Sequence, residues 1–304
     1  MDLRSAREYL RSQGEFDSCN ILRKKTGDNN HNYIFESSNN KYVLRRKKQI
    51  SEDKSLENER NILKFLEFKE IESVPRSVSY DTDREIHIIT FVGQKDVEIG
   101  HLNQPDLDEW TKKLLSINRL KFSEYKDYCE RKGLDYEEPR TPGENLNELR
   151  EDVESLSESN GLIELLKNRL DYLEKDLQTE TPGSAFLTHS DLSNSTRRTG
   201  NNFFFIDWEF SGFNQNPYSD LGIILAHSQL NKEKREAIRR KYKEKLDRKE
   251  GFDEKVDAAK QIRHIFNIVW CLQRISKSEK QDEIDRYRSY IKRQSNMLEK
   301  MSES

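Results

Sequence analysis

Four apolar residues in a row, Phe203 to Ile206, stop abruptly at a carboxylate, Asp207. Such a run reads as a strand buried on both faces. A charge at its end is costly unless a counter-charge or a bound cation compensates it. Sixteen residues earlier Asp191 stands in a loop that follows Phe186 and Leu187, and the turn Thr199-Gly200-Asn201-Asn202 joins the two segments. Read as a hairpin-like pair, these segments bring both aspartates to one sheet edge. With the amide of Asn194 they form a hard-oxygen donor set suited to Mg2+.

A chain of 304 residues fits two domains or one two-lobed domain. Only 33% of its residues are hydrophobic and 36% are charged. Apolar runs such as Leu221 to Ala226 fall far short of the roughly 20 residues of a membrane span. The first residues are charged throughout and lack the apolar centre of a signal peptide. A net charge of -3 argues against general nucleic-acid binding. Cys19, Cys129 and Cys271 are odd in number and scattered, fit neither a metal-ligand spacing nor a disulfide framework, and read as reduced thiols. The expectation is a cytoplasmic protein with no membrane or nucleic-acid partner. Its oligomeric state has no signature in the sequence.

Along the chain, residues 3–12 read as a helix, 19–24, 32–36 and 41–46 as strands, 54–68 as a helix, and 77–80 and 86–92 as strands. After Gly93 the pattern turns helical: 105–120, then two amphipathic helices with leucines at helical spacing between 144 and 180. Residues 121–143 read as polar and irregular, 185–207 as a short β segment, and 219–303 as helical. The expected class is therefore α+β: a small antiparallel-sheet lobe over 1–93, a hinge near Gly93, and a large helical lobe over 94–304. A cleft between two such lobes suits a nucleotide.

Two short motifs narrow this further. His189-Ser190-Asp191 resembles the HGD of the aminoglycoside phosphotransferase and choline kinase superfamily, which has the protein-kinase-like fold. Asp207-Trp208-Glu209, followed by Gly212, Pro217, Tyr218, Asp220 and Leu221, resembles that family's second motif. Asn30 with Tyr33, the strand Tyr42-Val43-Leu44-Arg45, Glu59 with Ile62 and Leu63, and Thr90-Phe91-Val92-Gly93 follow the family's order over the first lobe. The resemblance implies a kinase using ATP and Mg2+. Asp191 is then the catalytic base that orients an acceptor hydroxyl, and Asp207 holds the metal. His189 is expected to shape the loop rather than to react. Catalysis of this kind rests on positioning and on neutralising phosphoryl charge.

The loop departs from the family at one point. The family's metal-binding Asn lies five residues after the catalytic Asp, where this chain has Thr196; Asn194 is the amide available. Asn194 is assigned the metal role, with Thr196 left open. The departure supports a second reading, a pseudokinase or nucleotide-binding scaffold without turnover. A protein-serine/threonine kinase is disfavoured, because Ser193 stands where a lysine is expected, Asp207-Trp208-Glu209 replaces DFG, and no APE-like segment follows.

In the small lobe, Glu59 falls on or beside the apolar face formed by Leu56, Leu63 and Leu66. An inward carboxylate needs a cation. Arg45 lies on the strand face opposite Tyr42 and Leu44 and is the expected partner, against the alternative that Arg46, Lys47 and Lys48 show merely a solvated basic edge. In the resembled family this Arg position contacts the α- and β-phosphates. Gly27 to Asn30 would correspond to the loop over the phosphates, and Phe91 and Val92 to the main-chain contacts of adenine.

For the acceptor, the expectation is a small hydroxyl compound, cationic like an amino alcohol or amino sugar. Residues 144–180 hold 11 acidic and 4 basic side chains, and a cleft of one sign concentrates the opposite charge. Glu209 is expected near the point of acceptor entry, and Trp110, Tyr172 and Trp270 are candidates to cup an ammonium group. The bland alternative is that these acids lie on solvated helix faces, as the basic residues of 231–250 do.

Overall fold

A computed structural model of the chain describes residues 2–26, 30–48, 56–93, 95–156, 161–177, 185–192, 195–227, 230–246 and 251–302. In chain order the elements are α1 (Leu3–Ser12), β1 (Asn20–Thr26), β2 (Asn30–Ser37), β3 (Asn40–Lys47), α2 (Leu56–Phe68), β4 (Ser77–Asp81) and β5 (Ile86–Thr90). Then come β6 (Lys95–Asp96), α3 (Gln104–Asn118), α4 (Phe122–Lys132), α5 (Pro142–Ser155), α6 (Gly161–Leu177), β7 (Phe186–Thr188), β8 (Thr196–Thr199), β9 (Asn202–Phe205) and β10 (Gly212–Asn214). The last four are α7 (Ser219–Leu225), α8 (Lys232–Lys245), α9 (Phe252–Ile275) and α10 (Gln281–Ser302).

The chain divides into two compact units: residues 1–117, 124–137 and 191–212, and residues 118–123, 138–190 and 213–304. The first is built on an antiparallel sheet of order β1-β2-β3-β5-β4. Strand alternation sends Tyr33, Leu44 and Ile88 into a core with Tyr9, Leu10 and Phe16 of the α1 region. Arg45 and His87 are register partners, so they share the other face, toward Glu59 of α2. A second sheet, β6-β8-β9, carries the run Phe203 to Phe205. Gly93 is held against it: φ is +72°, and a Cβ there would lie 2.2 Å from Cβ of Arg197. That position excludes any side chain.

Residues 121–143 are not irregular as expected. Phe122–Lys132 is a helix. Tyr125, Tyr128 and Cys129 are buried at i, i+3 and i+4, and Phe65 of α2 packs on both tyrosines. A three-residue stripe in a charged background gives a weak periodic signal. The hairpin expected across 185–207 is also narrower: β8 and β9 pair, whereas β7 pairs with β10.

In the second unit α5, α6, α9 and α10 enclose one core, with Leu146, Val153, Leu166, Leu170, Ile265, Ile268 and Leu298 buried in it. Helix α5 starts where Thr141 and Glu144 form a reciprocal capping box with Pro142 in the first turn. Helices α7 and α9 approach closely at Gly222. No helix among the described residues is long and apolar enough to cross a membrane.

Candidate active site

The turn after β9 is set by backbone bonds. Phe205 N–H donates to the Ser73 carbonyl and Ile206 N–H to the Ser195 carbonyl, both at 2.8 Å. Asp207 then takes a left-handed conformation, φ +70° and ψ +57°. This conformation costs an L-residue about 1–3 kcal/mol and persists only where the surroundings impose it. Its result is that Trp208 N–H donates to Glu59 Oε1 at 3.2 Å while the Asp207 carboxylate meets Arg45 Nη2 at 2.6 Å.

Arg45 is the centre of this cluster. Its Nη1 donates to Glu59, and its Nη2 reaches Asp207 and lies 3.6 Å from Glu209. Asn30 Nδ2 donates to Glu209. Glu59 is fully buried and also receives His87 Nδ1 at 3.0 Å, while Ser77 Oγ lies 2.9 Å from His87 Nε2. Burial pushes the Glu59 carboxyl up, but Arg45 and His87 outweigh it and hold it below its ordinary value. Burial likewise opposes the Arg45 charge, and the three carboxylates outweigh that too, raising its pKa. The expected Arg45–Glu59 pair is thus present.

Three carboxylates surround this one guanidinium. Asp207 is the accessible member, its side chain 43% exposed against 0% for Glu59. The donor set fits a divalent cation that takes one or two protein carboxylates and fills its remaining sites with phosphate oxygens and water. Among the described residues no three His, Cys, Asp or Glu side chains converge as a self-sufficient metal cage. Asn194 lies outside the described residues, as do Gly27 to Asn29. Thr196 is buried, and its Oγ1 accepts from the Trp110 indole at 3.2 Å.

The Asp191 carbonyl accepts from Ser195 Oγ at 2.5 Å. The loop before Asp191 is held within the second unit by Asp220. Its carboxylate accepts from His189 N–H (2.8 Å), Ser190 N–H (2.9 Å) and Asn118 Nδ2 (2.8 Å), and Tyr242 in turn donates to Asn118 Oδ1 (2.8 Å). Ser190, at the glycine position of the resembled motif, has φ +65°. Phe91 N–H donates to the Lys41 carbonyl at 2.9 Å, which ties the start of the 91–93 stretch to the sheet; Val92 is half-buried.

Several residues escaped the sequence reading. His87 was hidden in the apolar strand Ile86 to Thr90; an imidazole inside such a run was itself the signal. Glu209, expected near an acceptor, turns to Arg45 and Asn30. Trp110 is fully buried on Phe205 rather than cupping a ligand. Arg169 lies over the ring of Tyr172, which stays 51% exposed, and Arg274 over that of Trp270. Of the acids of 144–180 on described residues, Glu144, Glu148, Glu151, Glu154 and Glu164 are exposed, and Asp171 and Glu174 pair with Arg150.

The sequence profile of the phosphotransferase enzyme family (APH) matches residues 24–252. The chain belongs to that family. Its fold is the kinase-like fold of several solved structures. A choline/ethanolamine kinase family protein from Mesorhizobium loti superposes with a TM-score of 0.69 at 17% identity, covering 100% of this chain and 96% of that one. Choline kinase LicA from Streptococcus pneumoniae gives 0.67 at 18% identity, with 96% and 98% covered. A thermostable mutant of aminoglycoside phosphotransferase APH(4)-Ia, solved as a ternary complex with ADP and hygromycin B, gives 0.63 at 13% identity, with 95% and 97% covered. No curated protein sequence matches the chain.

Proposed function

We propose that this phosphotransferase moves the γ-phosphoryl group of ATP, with Mg2+, onto a hydroxyl of a small molecule. The observation that carries this reading is the Arg45 cluster: a buried guanidinium fixed by Glu59 and shared with the accessible Asp207 and with Glu209. Arg45 then meets the α- and β-phosphates, and Asp207 with Asn194 holds the metal, which would neutralise phosphate charge when bound. Asn30 orients Glu209 beside the phosphates, and the main chain at Phe91 and Val92 meets adenine. Asp191 accepts the proton of the acceptor hydroxyl, and Asp220 fixes the loop that presents it. The nucleotide belongs to the lobe over 1–93 and the acceptor to the lobe over 94–304. Nucleotide complexes of two structural relatives, LicA with AMP and APH(4)-Ia with ADP, support the donor assignment.

The test is ADP release across amino alcohols, sugars, sugar acids, nucleosides and aminoglycosides. Asp191→Asn should keep ATP binding and lose turnover by about 10²–10⁴-fold, the range for a positioned base. Asp207→Ala should abolish Mg2+-dependent nucleotide binding. Nucleotide binding without ATP consumption on any acceptor would establish the scaffold reading instead.

A further inference from the structure

We infer that His87, backed by Ser77, is a positioning residue of the nucleotide site: it fixes the Glu59 carboxylate that sets both the Arg45 guanidinium and the turn at Asp207. The inference rests on the kinase reading, in which Arg45 meets phosphate and Asp207 the metal.

Glu59 divides its two oxygens. Oε1 accepts from Arg45 Nη1 and, at 3.2 Å, from Trp208 N–H. Oε2 accepts from His87 Nδ1 at 3.0 Å. The last torsion of a glutamate is broad, so bonds to one oxygen alone leave the plane of the carboxylate free to turn. The His87 bond to the other oxygen fixes it. Both partners of Oε1 belong to the candidate site. Arg45 reaches on to Asp207 at 2.6 Å, and the Trp208 peptide follows the left-handed turn at Asp207. A tilt of the Glu59 carboxylate is therefore passed at once to a phosphate-binding cation and to a metal ligand.

Strand register brings the parts together. Arg45 on β3 stands opposite His87 on β5, hence on the same face. On β4, Ser77 stands opposite Ile89 and Tyr80 opposite His87. His87 and Ile89 share a face by alternation, so Ser77 and Tyr80 share it too, although they are three residues apart. The register shift of β4 between Ser77 and Ser79 allows this, because a bulge adds a residue and re-aims a side chain. Ser77 Oγ thereby comes 2.9 Å from His87 Nε2, and the Tyr80 ring stands edge-on to the imidazole at 6.0 Å between centroids. Ser77, His87 and Glu59 are all buried. The effect of His87 and Ser77 on a ligand passes through Glu59 to Arg45 and Trp208.

The chemistry also places a proton. Burial opposes the Glu59 charge, but Arg45 and His87 outweigh it and keep the carboxyl ionised. A carboxylate only accepts, so the proton of this bond lies on Nδ1. The Ser77 hydroxyl can donate or accept and suits Nε2. The neighbours Ile86, Ile88 and Ile89 fill the same strand with hydrocarbon; a ring with two nitrogens spans Ser77 and Glu59.

The test compares the full chain with His87→Asn, His87→Gln, His87→Leu and Ser77→Ala in binding a fluorescent ATP analogue with and without Mg2+, at a temperature where each is folded. Asparagine places an amide N–H near the position of Nδ1 and glutamine near that of Nε2, so both lose the ring and only asparagine reaches Glu59. His87→Gln and His87→Leu should weaken Mg2+-dependent binding about 10–100-fold, the usual effect of removing a group that orients a ligand from behind. His87→Asn should recover most of that loss. Imidazole NMR of the wild type should show one histidine with a protected Nδ1–H, absent from His87→Leu and kept in Ser77→Ala. The wild-type spectrum decides the proton's position even where a variant does not fold. Equal binding by the Asn and Gln variants, or affinity that follows melting temperature across the set, would assign His87 a merely structural role. Either result, or a proton on Nε2 with Nδ1 bare, overturns the inference and leaves the kinase reading intact. A wild type that binds no nucleotide overturns the kinase reading, and the positioning role with it.

Discussion

The Arg45 guanidinium lies 2.6 Å from the Asp207 carboxylate while gripping Glu59 with its other nitrogen. The two acids differ in setting. Glu59 is buried and also accepts from Trp208 N–H and His87 Nδ1, so it is fixed. Asp207 is nearly half exposed and open to a cation from solvent.

Removing Arg45 leaves Glu59 buried without its main counter-charge. Arg45→Ala should cost about 3–5 kcal/mol of stability, the range for breaking a buried pair. It should also abolish nucleotide binding. Arg46→Ala, one residue along on the opposite strand face, should change stability by less than about 0.5 kcal/mol. Urea unfolding and titration with a fluorescent nucleotide measure both, and equal effects would contradict the assignment.

Ser190 holds φ +65° with its hydroxyl 3.1 Å from that of Thr188. Glycine adopts this conformation freely but loses more chain entropy on folding. Ser190→Gly should therefore be neutral or stabilising within about 1 kcal/mol, while Ser190→Val should destabilise by at least about 1 kcal/mol. Thermal unfolding of the pair decides this.

At Gly222 helix propensity and packing oppose each other. Alanine inside a helix normally gains about 0.5–1 kcal/mol over glycine. Here its Cβ would lie 2.6 Å from the Ala259 carbonyl carbon and Cβ. Overpacking of that kind costs about 1–3 kcal/mol. Gly222→Ala should be destabilising, measured by denaturant midpoint.

Burial, aided by Lys260, Arg235 and Arg263 and only partly offset by the Gln294 bond, lowers His264 from 6.5 to about 4. Above pH 6.5 the imidazole is neutral in both folded and unfolded chains and has no effect. As pH falls from 6.5 toward 4, the unfolded chain takes up a proton that the folded chain does not. Stability should fall by up to about 3 kcal/mol over that window. His264→Gln should flatten the slope in urea unfolding between pH 7 and 4.5; an unchanged slope would refute the assignment.

The Arg45–Glu59 pair was legible because two local periods fixed it: 3.6 residues turned Glu59 inward and alternation placed Arg45 on its own strand face. Nothing local linked that pair to Asp207 and Glu209, some 150 residues on; only the motif Asp207-Trp208-Glu209 suggested their company. Asp220 was visible as a motif residue, yet its grip on the His189 and Ser190 amides depends on how α7 meets a loop distant in sequence. Helix α4 was missed because its buried stripe is two tyrosines and a cysteine rather than leucines.

Two of the three tryptophans, Trp110 and Trp208, are fully buried in the first unit, and the third, Trp270, packs edge-on to Tyr287 in the second. The molecule thus contains its own optical labels. Emission from a Trp110→Phe, Trp208→Phe variant reports the helical core of the second unit alone, and Trp270→Phe restricts the signal to the first. Overlaying the two fluorescence melts shows whether the units lose structure in one cooperative step or in succession, with no dye or tag attached.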